Sequence, residues 1–248
     1  NHNHIDFEGS QVLSGSGTVV LGVGYDPALR QSVSGGTLTI GPEMTIRGGS
    51  LSRTAMIGHS TYFGGPSDIS VVNEGTIICD QGLITFSGQS FVNESVVEAG
   101  GGTLAINTAT WSNAGTLRVS SGTLNLGGSF TTADLGFFER TGGTVNVTGM
   151  LENTGATLAL DSSTGDWALK GGQIVGGTVT GADGAKLVCS SSGGTLDGVV
   201  LDADLGLLAY QSWVRVLNGL ILNGTATLAE NHNHIDFEGS QVLSGSGT

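Results

Sequence analysis

Along most of this chain apolar and polar residues alternate in runs of three or four, broken by Asn, Gly or Ser, and through the middle the runs recur every 20 residues. One lap reads Ser90–Val92, then Ser95–Glu98, then Thr103–Ile106. A two-residue period sends one set of side chains inward and the other to water, as a strand does. The three- and four-residue spacings of a helix are nowhere sustained. Three short strands per lap predict the coil of a parallel β-solenoid, each strand pairing with its equivalents about 4.8 Å above and below.

The lap is marked by Asn73, Asn93 and Asn113, with Asn153 two laps on, in the contexts VVNEGTI, FVNESVV, WSNAGTL and LENTGATL. Two residues before the Asn stand Val71, Phe91, Trp111 and Leu151, and four after it Ile77, Val97 and Leu117. Farther along come the pairs Ile84/Phe86, Leu104/Ile106, Leu124/Leu126 and Val145/Val147, the last offset by one residue. That offset predicts a bulge or a one-residue insertion in a turn. Like residues stacked on like make continuous core columns. An amide both donates and accepts, so Asn at one corner of each lap can bond its neighbours in a ladder. The alternative is that Asn is there for left-handed turn geometry, and Ala133 interrupts the column.

Outside this stretch the pattern loosens but continues, with strand-like runs at Gln173–Val175, Thr178–Thr180, Leu187–Cys189 and Thr195–Leu201. Gly22–Gly65 is least regular, and its Tyr25–Arg30 and Met56–Pro66 pieces read as longer loops, where binding tends to reside.

A second, longer period frames the first. Asn1–Thr18 (NHNHIDFEGSQVLSGSGT) reappears letter for letter as Asn231–Thr248. Residues 1–230 read as one repeat and 231–248 as the start of the next, the mark of an array. At about 20 residues per lap a repeat makes about 11.5 laps and roughly 55 Å of rise. The coil is expected to be a right-handed β-helix, following the preference for right-handed parallel crossovers. Neither copy reads as a cap; both are expected to fold alike, with Leu220–Leu228 stacked beneath Ile235–Val242.

Composition narrows the function. The 44 Gly but only three Pro, with 38% hydrophobic residues, favour short packed strands over disorder. A net charge of −13, from 21 acidic and eight basic residues, disfavours nucleic acid and anionic membranes as partners. No apolar run approaches a membrane span of about 20 residues. Cys79 and Cys189 share the inward parity of Ile77 and Leu187 and read as free core thiols, about five laps apart and beyond disulfide reach.

Candidate chemistry is sparse. His2, His4, Asp6 and Glu8 share a strand face while Ile5 and Phe7 point inward; the stripe could hold a divalent ion weakly or be a solvated face. Asp197, Asp202 and Asp204 could offer oxygen to Ca²⁺ but read better as a solvated acidic edge. The cations are scattered singly, and His59 is the one His outside the two stripes. No paired carboxylates or Ser-His-Asp set can be nominated, so no catalytic residue and no cofactor is assigned, and the chain is not expected to be an enzyme.

The phrases GGQIVGGTVTGADGAKLV, SGGTLDGVVLDADL and LNGLILNGTATL resemble those of very long bacterial extracellular β-strand-repeat proteins, the autotransporter-like and filamentous β-solenoid adhesins. The likeness runs through Trp167–Leu228 and more loosely Val71–Leu160. It implies a cell-surface protein: a segment of a fibre, stalk or filament of tandem units whose partners are copies of itself end to end, or neighbouring fibres. A solenoid that is only a spacer presenting glycan- or protein-binding loops (Gly22–Gly65, Tyr210–Trp213) is the alternative, and a polysaccharide-processing β-helix enzyme a third.

Overall fold

In a computed structural model the chain is an all-β parallel β-solenoid of about 11 turns. The structure describes residues 2–22, 25–49 and 54–248, with the side chains of all but His2 and Tyr25. The parts of the Gly22–Gly65 segment at Val23, Gly24 and Ser50–Arg53 lie outside the described residues. The strands gather into two compact bodies, Asn1–Gly128 with Ala133–Gly143, and Ser129–Thr132 with Thr144–Thr248.

The first body has three columns of parallel strands. One runs His2–Phe7, Tyr25–Gln31, Ala55–Gly58, and a second Gln11–Leu13, Thr37–Ile40, Ser70–Asn73. The third runs Thr18–Leu21, Thr45–Gly48, Thr76–Cys79, Val96–Ala99, Thr116–Val119 and Phe137–Arg140. From Leu83 the first two strands of a coil fuse, so that Leu83–Asn93 and Thr103–Asn113 pair from Leu83↔Thr103 to Asn93↔Asn113. These coils have two strands rather than three, because the backbone turns the corner without leaving the ladder, at Gly88, with φ +142°, in the first and at the paired Thr108 in the second.

The 20-residue period holds where it was read: Val71, Phe91 and Trp111 are in register, as are Ile77, Val97 and Leu117. Earlier coils are longer, Leu38 pairing with Val71 and Ile46 with Ile77, and the loop between Gly58 and Ser70 carries much of the excess. Tyr25–Arg30 is a strand, not the expected loop. Its pairing slips between His2↔Tyr25 and His4↔Ala28, leaving one extra residue at Asp26–Pro27, where Asp26 has φ +50°. A bulge of this kind admits proline without breaking the ladder. The insertion foreseen near Val145 lies upstream: a 3₁₀ turn at Ala133–Leu135 sets Phe138 against Leu117.

In the second body one column runs Thr144–Val147, Trp167–Leu169, Lys186–Cys189, Asp204–Leu207, Ala226–Leu228. The next runs Ser129–Thr131, Met150–Glu152, Gln173–Val175, then the first halves of Thr195–Asp202 and Trp213–Leu222, then His234–Phe237. The last joins Thr157–Leu160 and Thr178–Gly181 to the second halves of those two strands and to Leu243–Ser244.

Every assigned core position is buried: Phe91, Trp111, Leu151, Ile77, Val97, Leu117, Leu104, Leu124 and Val145. Each such Val, Leu or Ile contributes about 1.5–3 kcal/mol by leaving water. The Asn column is buried too. Asn73 Nδ2 donates to Asn93 Oδ1, and Asn93 Nδ2 to Asn113 Oδ1, each at 2.7 Å. Where Ala133 breaks the series, Asn113 Nδ2 turns to the Leu135 carbonyl at 2.7 Å, and in the second body Asn153 Oδ1 accepts from Thr132 Oγ1 at 2.6 Å. The backbone and a hydroxyl stand in for the missing amide.

Candidate functional site

The duplicated segment is the one feature that composition and core packing do not explain, and its two copies sit in different bodies. Both are a strand, a turn, then a second short strand, with the turn glycines in matching left-handed geometry: Gly9 and Gly239 at φ +92° and +80°, Gly15 and Gly245 at +117° and +116°. In both copies the Gln side chain donates to the Glu carbonyl three residues back, Gln11 to Glu8 and Gln241 to Glu238. His4 Nε2 lies 3.6 Å from Asp6 Oδ2, and His234 Nε2 3.4 Å from Asp236 Oδ2. They diverge at the start, where the first strand begins at His2 whereas His232 has φ +62° and the later strand opens at His234. They diverge again at the second strand, which is Gln11–Leu13 in one copy and starts two positions later, at Leu243–Ser244, in the other. Neither copy contains a helix.

The partner of the second copy is earlier in the chain than expected. Trp213–Val216 lies against His234–Phe237, and Leu220–Ile221 against Leu243–Ser244. A coil here is about 21 residues long, so the neighbour of Ile235 is Val214; Leu220 is too near in sequence to be one coil below.

Each copy has its own surroundings. In the first, Arg30 grips Asp6 with two parallel bonds, Nε to Oδ1 and Nη2 to Oδ2, both 2.8 Å. This grip holds the Asp6 carboxyl below its ordinary range. Arg30 also donates to the Phe63 carbonyl at 3.2 Å and stands 5.7 Å from that ring, which meets the His4 ring at 4.2 Å. In the second copy Arg215 Nε bonds Glu238 Oε1 at 2.8 Å. Trp213 lies parallel to His234 with ring centres 6.2 Å apart, and Tyr210 is edge-on to His232 at 5.5 Å. The rings of Trp213, His232 and His234, with Ser191, Gln211 and Asn233, border an open cleft of about 510 Å³.

The His-Asp-Glu stripe is thus organised by arginines and aromatics from neighbouring coils. Asp6 presents both oxygens to Arg30, which fills the place a cation would take. Among the described residues no three His, Cys, Asp or Glu groups converge to hold an ion. Ile5, expected inward, is 45% exposed, while Phe7 is buried at 6%. Ile5 lies in register with the buried Leu29, just past the shift in pairing between His2 and His4.

The other acidic candidates do not cluster but are used one by one by the following coil. Asp197 Oδ1 accepts from Asn218 Nδ2 at 2.6 Å, Asp202 Oδ1 from Asn223 Nδ2 at 2.5 Å, and Asp204 Oδ1 from the Thr225 amide at 2.8 Å. His59 Nδ1 faces the Pro66 carbonyl within its own loop. Cys79 and Cys189 are free and buried. Burial pushes the Cys79 thiol up to about 11 and that of Cys189 to about 12.

Sequence reading missed Arg30, Phe63, Trp213 and Arg215 as partners of the stripe. One available signal was distance along the chain: Arg30 follows Asp6, and Glu238 follows Arg215, by little more than one lap. No family model, no curated protein and no solved structure matches this chain. Among the described residues no helix is long and apolar enough to cross a membrane. The fold and the twin segments therefore define the protein: a β-solenoid in which one 18-residue sequence is built into two bodies.

Proposed function

We propose that the chain is a structural segment of an extracellular bacterial fibre, stalk or surface filament made of tandem 230-residue β-solenoid units. The observation that carries this reading is that the identical segment is accepted as a coil by both bodies, on the strands that follow it in one and on those that precede it in the other. A solenoid needs no active site to act as a strut, since stacking alone sets its length and stiffness. The acidic surface keeps such a strut soluble. Deleting the gene should remove unbranched filaments from the cell surface, seen by negative-stain electron microscopy; filaments unchanged in the deletion strain would end this reading.

A second reading, adhesion, is favoured by the cleft beside Trp213. Its aromatic faces and the amides of Gln211 and Asn233 suit a sugar ring, whose C–H groups pack on aromatics while its hydroxyls bond amides. Binding on a glycan array that is lost in Trp213→Ala would support it.

A further inference from the structure

The two copies use different edges, and together their partners describe a coil that neither copy completes alone. In the first copy the carbonyls of Phe7, Leu13 and Gly17 accept from the amides of Ser32, Gly41 and Thr45 on the following coil. In the second copy the amides of His234, Glu238 and Gly247 donate to the carbonyls of Ser212, Val216 and Leu222 on the preceding coil. Transferred onto one segment, these bonds do not use any backbone atom twice.

The side chains divide in the same way. The Asp of the segment is taken by Arg30 and its Glu by Arg215. The second His meets Phe63 in one copy and Trp213 in the other. Apolar exposure is complementary as well: Phe7 is buried where Phe237 is 37% exposed, and Ile235 is half-buried where Ile5 is exposed.

The chain's path fixes the register. The Ala226 amide donates to the Thr248 carbonyl at 2.8 Å, the bond that in a parallel ladder sets the residue after Thr248 opposite Ala226. In the first copy the residue after the matching Thr18 is Val19, in the strand Thr18–Leu21.

We propose that Asn231–Thr248 is a shared coil joining one repeat to a second copy of residues 19–248, paired on both edges at once. In that joint the segment pairs below with Trp213–Leu222 and above with the next repeat's Tyr25–Gln31 and Thr37–Ile40. Val19 and Leu21 of the next repeat lie against Ala226 and Leu228, covering Leu228, which is 49% exposed. The next repeat's Phe63 then packs on the segment's His, which has Trp213 from the preceding coil on one side and Phe63 from the following coil on the other. The partner is a second copy of this chain's own sequence. The inference rests on the tandem-array reading but does not need the array to be extracellular or filamentous.

The test compares the 248-residue chain with an extended chain in which residues 19–230 of a second repeat follow Thr248. Backbone amide exchange over residues 231–248 should slow by about tenfold or more in the extended chain, since both edges are then protected. Asp236→Asn should leave the melting temperature of the 248-residue chain unchanged. In the extended chain it should lower it by about 1–3 °C, matching Asp6→Asn in the 248-residue chain. Exchange no slower in the extended chain overturns the shared coil, and so does a neutral Asp236→Asn there while Asp6→Asn lowers the melting temperature in the shorter chain. A slowed segment in a strain without surface filaments would sink the fibre reading alone.

Discussion

Asn93 accepts from Asn73 and donates to Asn113, at 2.7 Å in both directions, so three buried amides on successive coils form one chain of hydrogen bonds. Its Nδ2 also faces the carbonyls of Ser95 and Thr116 at 3.0 and 3.1 Å. The amide therefore satisfies the corner of its own coil and of the next. Substituting Asn93 with Ala leaves buried groups on both sides without their partner, each costing about 1–3 kcal/mol. Chemical denaturation of Asn93→Ala should show a loss of about 2–4 kcal/mol.

Leu104 is fully buried between Ile84 and Leu124, in register with both. Leu104→Ala should cost about 2–5 kcal/mol through lost burial and the cavity left behind. Leu104→Asp should cost more, because a charge is forced into the column without a partner. Thermal melts followed by circular dichroism at the strand minimum read both, and an Asp variant as stable as wild type would refute the column.

The thiols set the alkaline behaviour. Burial raises both folded-state values above the ordinary thiol range, to about 11 for Cys79 and about 12 for Cys189. The unfolded chain loses these protons first, so the stabilisation is complete below an unfolded value of about 8.5 and is lost as pH rises through the folded values. Stability should therefore decline from about pH 9 upward, and less steeply in Cys79→Ala/Cys189→Ala. Reductant at neutral pH should leave the melting temperature unchanged.

Two left-handed glycines separate backbone strain from crowding. Gly155 and Gly177 have φ +74° and +66°, but space around Gly155 is open, whereas a Cβ on Gly177 would run into the Asn153 carbonyl. Gly155→Ala should cost about 1–2 kcal/mol from φ alone. Gly177→Ala should cost more, since it also displaces a rung of the Asn column. Equal losses in urea denaturation would show that crowding plays no part.

By itself the sequence determined the solenoid, its inner columns and the 20-residue register from Val71 to Leu117. The side-chain parity of a strand is local, and stacking of like on like needs only a period. It also exposed the twin segments, which identity alone reveals. Where coils lengthen, the period gives no guide: Tyr25–Arg30 looks like a loop until the bulge at Asp26–Pro27 is seen to keep it in the ladder. Which coil lies under Ile235 depended on a coil length of about 21 residues, set by turns whose sequences do not repeat. Tertiary structure alone decided that Arg30 and Phe63 meet the segment from one side and Trp213 and Arg215 from the other. Those residues belong to different laps, and only folding the coils onto one another makes them neighbours.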